Sequence, residues 1–262
     1  MFVIEIPYFN LDHIYNSGQA PRWIKLKEGK YVVPFKDKAL KIEQQRDKFD
    51  WTNHRLILSC TEEDFYNIWF TYFDLKMDCV IENRKIKNLG GKFKIPANRG
   101  HGIHLLNQDP FEMYIFSKLV MMVGYEKAKV AINHIAETCG IKHVQSMREA
   151  GKITWYEWPT PEMILEKFDK LKRMGKFNEW LKQLCKELVI GSVVYDENDL
   201  FRLFGMHDLS VFPLAGIEDV LEKNFDENPE EFADWYLSEI ENKGLVYMYI
   251  VHHIINRPKG GN

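Results

Sequence analysis

The sequence predicts an α+β protein, with an N-terminal antiparallel β-sheet domain followed by an all-helical region. The first 58 residues hold five short β-like runs separated by turn signals. From Thr61 onward, apolar residues recur at helical spacing behind capping residues. At 262 residues, 45% hydrophobic, the chain can bury the core of one large domain or two smaller ones.

FVIEI, RWIKL, KYVVPF, KALKIE and RLILS are the strands, broken by SG, EG and KD turns. Thr61 then heads T-E-E-D, an N-cap with acids in the first turn. Phe65, Ile68, Trp69, Tyr72 and Phe73 follow at helical spacing, so a helix closes the first region. The basic stretch NRKIKNLGGKFKIPANRGHG is expected as a crossover, which places a domain boundary near residue 95: a sheet domain over 1–95 and a helical domain over 96–262. Asp109-Pro110 opens the helix FEMYIFSKLVMMV and Thr160-Pro161 opens PEMILEKFDKL, each with Pro at the first helical position. Further helices are expected over Tyr125–Cys139, Phe177–Leu188, Asp199–Phe204, Ile217–Asn224, Pro229–Ile240 and Lys243–Asn256.

This composition excludes disorder, collagen and coiled coil. No apolar run approaches the roughly 20 residues of a membrane span, and MFVIEIPYFN lacks the basic flank and cleavage site of a signal peptide. A cytoplasmic, membrane-free monomer is expected. Cys60, Cys79, Cys139 and Cys185 are too far apart for a zinc motif and read as reduced core thiols, and no metal or other cofactor is expected. The many aromatics serve either a dense core or stacking platforms for flat ligands.

Charge is unevenly spread. Residues 1–99 carry 17 Lys and Arg against 13 Asp and Glu, residues 100–175 carry 10 against 9, and residues 176–262 carry 8 against 16. Nucleic-acid affinity comes largely from phosphate neutralisation, so a final segment of net −8 is a poor main DNA grip unless its acids face away.

Three segments together resemble the 8-oxoguanine DNA glycosylase family of the helix-hairpin-helix glycosylase superfamily. Phe9-Asn10-Leu11 with Ser17-Gly18-Gln19-Ala20-Pro21-Arg22-Trp23 is similar to that family's opening, Tyr72-Phe73-Asp74-Leu75 to its "YFDLD", and Gly102 through Glu112 to its "GIRLLRQDPxE". A weaker C-terminal likeness pairs Ser210-Val211-Phe212-Pro213 with "xVFPVD" and Gly244 through Ile254 with the family's last helix. The resemblance implies a small sheet domain and two helical lobes around a cleft for a flipped base, whose glycosidic carbon is unreachable inside the stack.

The same resemblance implies a hairpin L-x-G-V-G-P-K-x-A-D whose Lys attacks the sugar. Here the matching stretch runs from Gly191 to Asp199, with Val194 at the second Gly, Tyr195 at the Pro and Asp196 at the Lys. An aspartate cannot form an imine, and no Lys occurs between Glu187 and Glu222 in any register. The Asp expected after "FPV" is replaced by Ala215, and the nearest acids are Glu218 and Asp219. The "NNN" turn that fills the hole left by a flipped base aligns with Met122-Val123-Gly124, where Met can act as an apolar wedge. The basic "GFRAK" stretch aligns with 176–180, the base-reading Gln with Tyr247 and the stacking Phe with Val251. Lys-dependent glycosylase/lyase activity is expected to be lost.

Other residues could carry replacement chemistry. Lys118, one charge inside IFSKLVMMV, is either a desolvated amine suited to nucleophilic work or a snorkelling or paired lysine. Asp196, Glu197 and Asp199 could position a water, a metal or an amine, or form a solvated acidic loop. His101, His104, His252 and His253 could line the cleft or bind metal, or be ordinary histidines. Gln19, Arg22 and Trp23 could read or stack a base, or could only tie the sheet domain to the helical lobes. Three functions follow. The chain is a diverged glycosylase-like protein that binds DNA and flips a base, with Met122, Tyr247 and Val251 near it. Alternatively, it is a base-modifying or monofunctional excision enzyme in which Asp196 or Glu218 activates water or an amine. In the third, the acidic lobe binds a protein partner.

Overall fold

The computed structural model describes residues 1–46, 53–148, 150–171, 175–191 and 228–256. Five strands, β1 (Phe2–Pro7), β2 (Ile24–Lys27), β3 (Lys30–Phe35), β4 (Lys38–Arg46) and β5 (Asn53–Leu58), form a sheet in the order β1-β5-β4-β3-β2. β1 and β5 are antiparallel, from Phe2 opposite Leu58 to Pro7 opposite Asn53. β2 and β3 are antiparallel with Ile24 opposite Val32, and the register shifts between Lys25 and Lys27. The sheet predicted from alternation is therefore present.

Helices begin where the sequence supplies caps. Thr61 accepts a hydrogen bond from the Asp64 amide at 3.1 Å and opens α2 (Glu62–Asp64), which continues through a π-helical turn (Phe65–Trp69) into α3 (Phe70–Tyr72). Asp109 caps α6 (Pro110–Val123), and Thr160 caps α8 (Pro161–Glu166). Asn228 caps α10 (Pro229–Glu239) through the amides of Glu230 and Glu231. α7 (Tyr125–Cys139), α9 (Lys176–Val189) and α11 (Lys243–Ile255) complete the long helices. The helices expected over 199–204 and 217–224 lie outside the described residues.

Three features depart from expectation. The basic crossover is a pair of helices, α4 (Cys79–Asn88) and α5 (Gly91–Arg99), joined at Gly90 with φ +124°. Asp78 accepts from the amides of Val80 and Ile81 and starts α4. Cys79, Asn83 and Ile86 on α4 and Phe93 and Ala97 on α5 are buried, so the charges occupy the outward positions. A short helix, α1 (Leu11–Asn16), follows β1, capped by Asn10. A hairpin of β6 (Lys142–Met147) and β7 (Gly151–Tyr156) lies within the helical half.

The chain divides into two compact units. The first comprises Met1–Ala20, Glu43–Gln108 and the described part of 201–262; the second comprises Pro21–Ile42 and the described part of 109–200. β4 runs from the second unit into the first, and residue 95 falls inside the first. In the first unit, Ile86, Phe93 and Ala97 share a core with Phe232 and Tyr236 of α10 and the run from Leu245 to Val251 of α11. Full burial of each such side chain is worth about 1.5–3 kcal/mol before ordering costs. In the second, Ile132, Ile135, Ala136 and Cys139 form the buried stripe of α7. Leu181, Leu184 and Cys185 form that of α9. All four cysteines are free; Cys79, Cys139 and Cys185 are buried and Cys60 is half-buried. No helix among the described residues is long and apolar enough to cross a membrane.

Candidate functional site

In the first unit, two buried glutamines fasten the chain from Phe9 to Ala20. Gln19 donates from Nε2 to the Ser17 hydroxyl at 3.0 Å and to the His104 carbonyl at 2.8 Å, while its Oε1 accepts from the Leu106 amide at 2.8 Å. The Gln19 carbonyl accepts from Gln108 Nε2. Gln44 accepts from the Leu11 amide and donates to the Phe9 carbonyl, both at 2.8 Å. Gly102, at φ +79°, completes the clamp. A Cβ there would lie 2.9 Å from both the Asn10 amide nitrogen and the Asn10 Cβ, so only Gly permits the Asn10 amide to reach the Gly102 carbonyl.

His104 is fully enclosed and stands 3.1 Å from Cys79 Sγ. A Cys–His pair at this distance is the arrangement of thiol catalysis, but burial acts against it. Desolvation lowers His104 to about 4 and raises the Cys79 thiol, which disfavours the thiolate–imidazolium form. The pair is structural. A second histidine cluster joins His13 of α1, His101 and His252 of α11, with ring centroids 4.9 and 5.0 Å apart. Arg99 reaches His253 at 3.4 Å. His252 is buried, its Nδ1 has no hydrogen-bond partner among the described residues, and desolvation aided by the charge of His13 lowers it to about 3. No group of His, Cys, Asp and Glu among the described residues is placed to hold a metal ion.

In the second unit, Arg22 is buried against Glu112 of α6, with Nε 2.8 Å from Oε1, and its guanidinium lies 5.8 Å from the Trp158 ring. Burial raises Glu112 to about 7, although the Arg22 charge pulls it down. Trp23 is buried beside Tyr31. Lys118 is half-buried, its ammonium 6.0 Å from the Trp180 ring. At the end of α6, Met121, Met122 and Val123 are 46%, 45% and 39% exposed, and Gly124 turns the chain at φ +80°. Three adjacent exposed apolar side chains at a helix end are costly to leave in water.

Residues 1–114 match the family model described as 8-oxoguanine DNA glycosylase, N-terminal domain. The chain superimposes on MBOgg1, solved with a low-affinity DNA ligand, with a TM-score of 0.78, 21% identity and coverage of 96% of this chain and 94% of that one. Residues 1–114 thus resemble the N-terminal domain of 8-oxoguanine DNA glycosylases in sequence, and the whole chain has the fold of these glycosylases. Clostridium acetobutylicum 8-oxoguanine glycosylase/lyase, in complex with double-stranded DNA containing cytosine opposite 8-oxoG, matches with a TM-score of 0.76, 21% identity and 97% coverage of each chain. The 3-methyladenine DNA glycosylase of Archaeoglobus fulgidus matches with a TM-score of 0.66, 12% identity and coverage of 98% and 99%. No curated protein matches the sequence.

Within this glycosylase fold, the candidates separate by what holds them. Both Gln19 amide donors are engaged inside the protein, and Arg22 and Trp23 are buried. Tyr247 and Val251 are buried in the α11 core at 6% and 9% exposure. Met122 is exposed at its turn, and Lys118 lies by Trp180. Asp196, Glu197, Asp199, Ala215, Glu218 and Asp219 lie outside the described residues. The sequence reading missed the role of His13, whose partners are 88 and 239 residues away. Cys79 is the buried, free thiol expected, but its contact with His104, 25 residues away, carried no sequence signal.

Proposed function

We propose that this chain binds DNA and holds a damaged or modified base out of the duplex without Lys-dependent excision. The observation that carries this is an 8-oxoguanine glycosylase N-terminal domain and whole-chain fold joined to a sequence with Asp196 in place of the nucleophilic Lys and no Lys from Glu187 to Glu222. Two of the similar structures were solved with DNA, which supports DNA as the ligand. The exposed Met122 would enter the stack where a base leaves it, as an apolar wedge that makes no hydrogen bond to the orphaned partner. Without an amine at position 196 no imine forms with the sugar, and Ala215 offers no carboxylate to stabilise positive charge there.

The test is borohydride trapping on an abasic duplex beside a binding measurement on the same DNA. Binding without a covalent adduct is expected; an adduct would show that another amine has taken over the chemistry. A second reading, a protein partner, is favoured by α10, which exposes Glu230, Glu231, Asp234 and Glu239 on its outward side. It gains ground if no DNA binds.

A further inference from the structure

From Asn83 to Gln108 the sequence has six Lys and Arg and no Asp or Glu, and the function proposed above uses none of them. α4 and α5 turn their apolar sides into one core, and Asn83 Nδ2 ties them by donating to the Ala97 carbonyl at 3.0 Å. Their charges therefore point away from that core. Arg84, Lys94 and Arg99 are exposed, with Asn88 and Asn98 beside them. Among the described residues no carboxylate pairs with Arg84, Lys87 or Lys94. Glu82, the one acid within the two helices, is bound to Lys85 at 3.1 Å. Lys85 also holds Glu241 at 2.9 Å, so its charge is already compensated.

We infer that the outward face of α4 and α5 is a second surface for duplex DNA, gripping backbone phosphates through Arg84, Lys94 and Arg99. This rests on the DNA reading above and adds a grip distinct from the residues proposed to handle a base. Uncompensated cations spread over two helices suit a polyanion better than a small anion, which needs donors converging on one point. Lys94 and Arg99 are about 7.5 Å apart along the helix axis, a spacing for separate phosphates. Beside Asn88 and Asn98 the two helices expose Ile81 and Ile95 and, among the described residues, no aromatic side chain on which an unpaired base could stack, which suits the backbone of a duplex better than a single strand. The acids of α10 in the same unit form no ion pair with these cations among the described residues, and they would repel DNA from that side.

The experiment measures affinity across a salt series for an undamaged duplex and for the same duplex with one abasic analogue. The full chain is compared with the triple variant Arg84→Gln, Lys94→Gln, Arg99→Gln and with Lys85→Gln. Each phosphate contact contributes about 0.9 to the slope of log affinity against log salt. The triple variant should lower the slope by about 2–3 and weaken both duplexes by the same factor, on the order of tenfold. Lys85→Gln should change affinity less than about twofold, because its charge is paired. Lys94→Glu should weaken binding more than Lys94→Gln. An unchanged slope in a triple variant that melts like the parent overturns the inference while leaving the DNA reading standing. A parent chain that binds neither duplex overturns the DNA reading itself, and this surface with it.

Discussion

In the first unit His104 and His252 are held neutral, lowered by burial to about 4 and about 3, whereas in the second Glu112 is driven the other way, to about 7. The two pH responses are therefore opposite. A histidine whose folded pKa lies below its free value of about 6.5 contributes stability above that value and loses it as pH falls toward the folded pKa. A carboxylate raised from about 4.5 contributes fully below that value and loses it as pH rises through about 7. Acid should loosen the unit that carries the Gln19 clamp while easing the burial of Glu112. Gln19 in the first unit is fastened by neutral hydrogen bonds and Arg22 in the second by a buried ion pair.

The comparison breaks most readily at Gln19. Gln19→Leu keeps the volume but strands the Leu106 amide and the His104 carbonyl, and should cost about 3–5 kcal/mol at neutral pH, measured by denaturant unfolding. A loss below about 1 kcal/mol would mean that water or a neighbour replaces the amide.

Arg22→Met tests the second unit. Removing one partner of a buried pair should cost about 3 kcal/mol at pH near 8 and less near pH 5, where Glu112 takes up a proton. A cost that grows toward acid would reverse the sign assigned to Glu112.

His252→Phe sharpens the contrast, since it keeps a ring in the cluster and removes the proton site. It should be close to neutral near pH 8 and more stable than the parent near pH 5 by up to about 2 kcal/mol, read as a smaller acid shift of Tm. Equal acid shifts would mean that His252 is solvated. The smallest expected effect on stability is that of Met122→Ala, below about 0.5 kcal/mol at an exposed site. Its effect on DNA is larger: preference for an abasic over an intact duplex should fall by about three- to tenfold, measured by competition binding.

Much of the fold was legible because local signals and tertiary structure agree. Asp109-Pro110 and Thr160-Pro161 start their helices as read, and KYVVPF is a strand from its first residue to its last. The failures have local causes. Gly90-Gly91 and the surrounding Lys and Arg read as a crossover because charge hid the buried spacing of Asn83, Ile86, Phe93 and Ala97. The β6–β7 hairpin escaped because its strands bury only Met147 and Trp155, leaving almost no alternation. The site was less legible than the fold. The backbone partners of the Gln19 side chain lie 85 and 87 residues away and the carboxylate beside Arg22 lies 90 away, so sequence could not tell a base reader from a clamp.

The central claim, that this glycosylase fold binds DNA without Lys-dependent cleavage, is tested most directly by fluorescence anisotropy with a panel of duplex, 8-oxoguanine, abasic-analogue, single-stranded and hydroxymethylated-pyrimidine DNA across a salt series. The account predicts binding that weakens steeply with salt, strongest for the abasic analogue, whose stack is already open to Met122, with every strand left intact. No binding to any member of the panel at about 50 mM salt, where phosphate contacts are strongest, or cleavage of any strand, would contradict it.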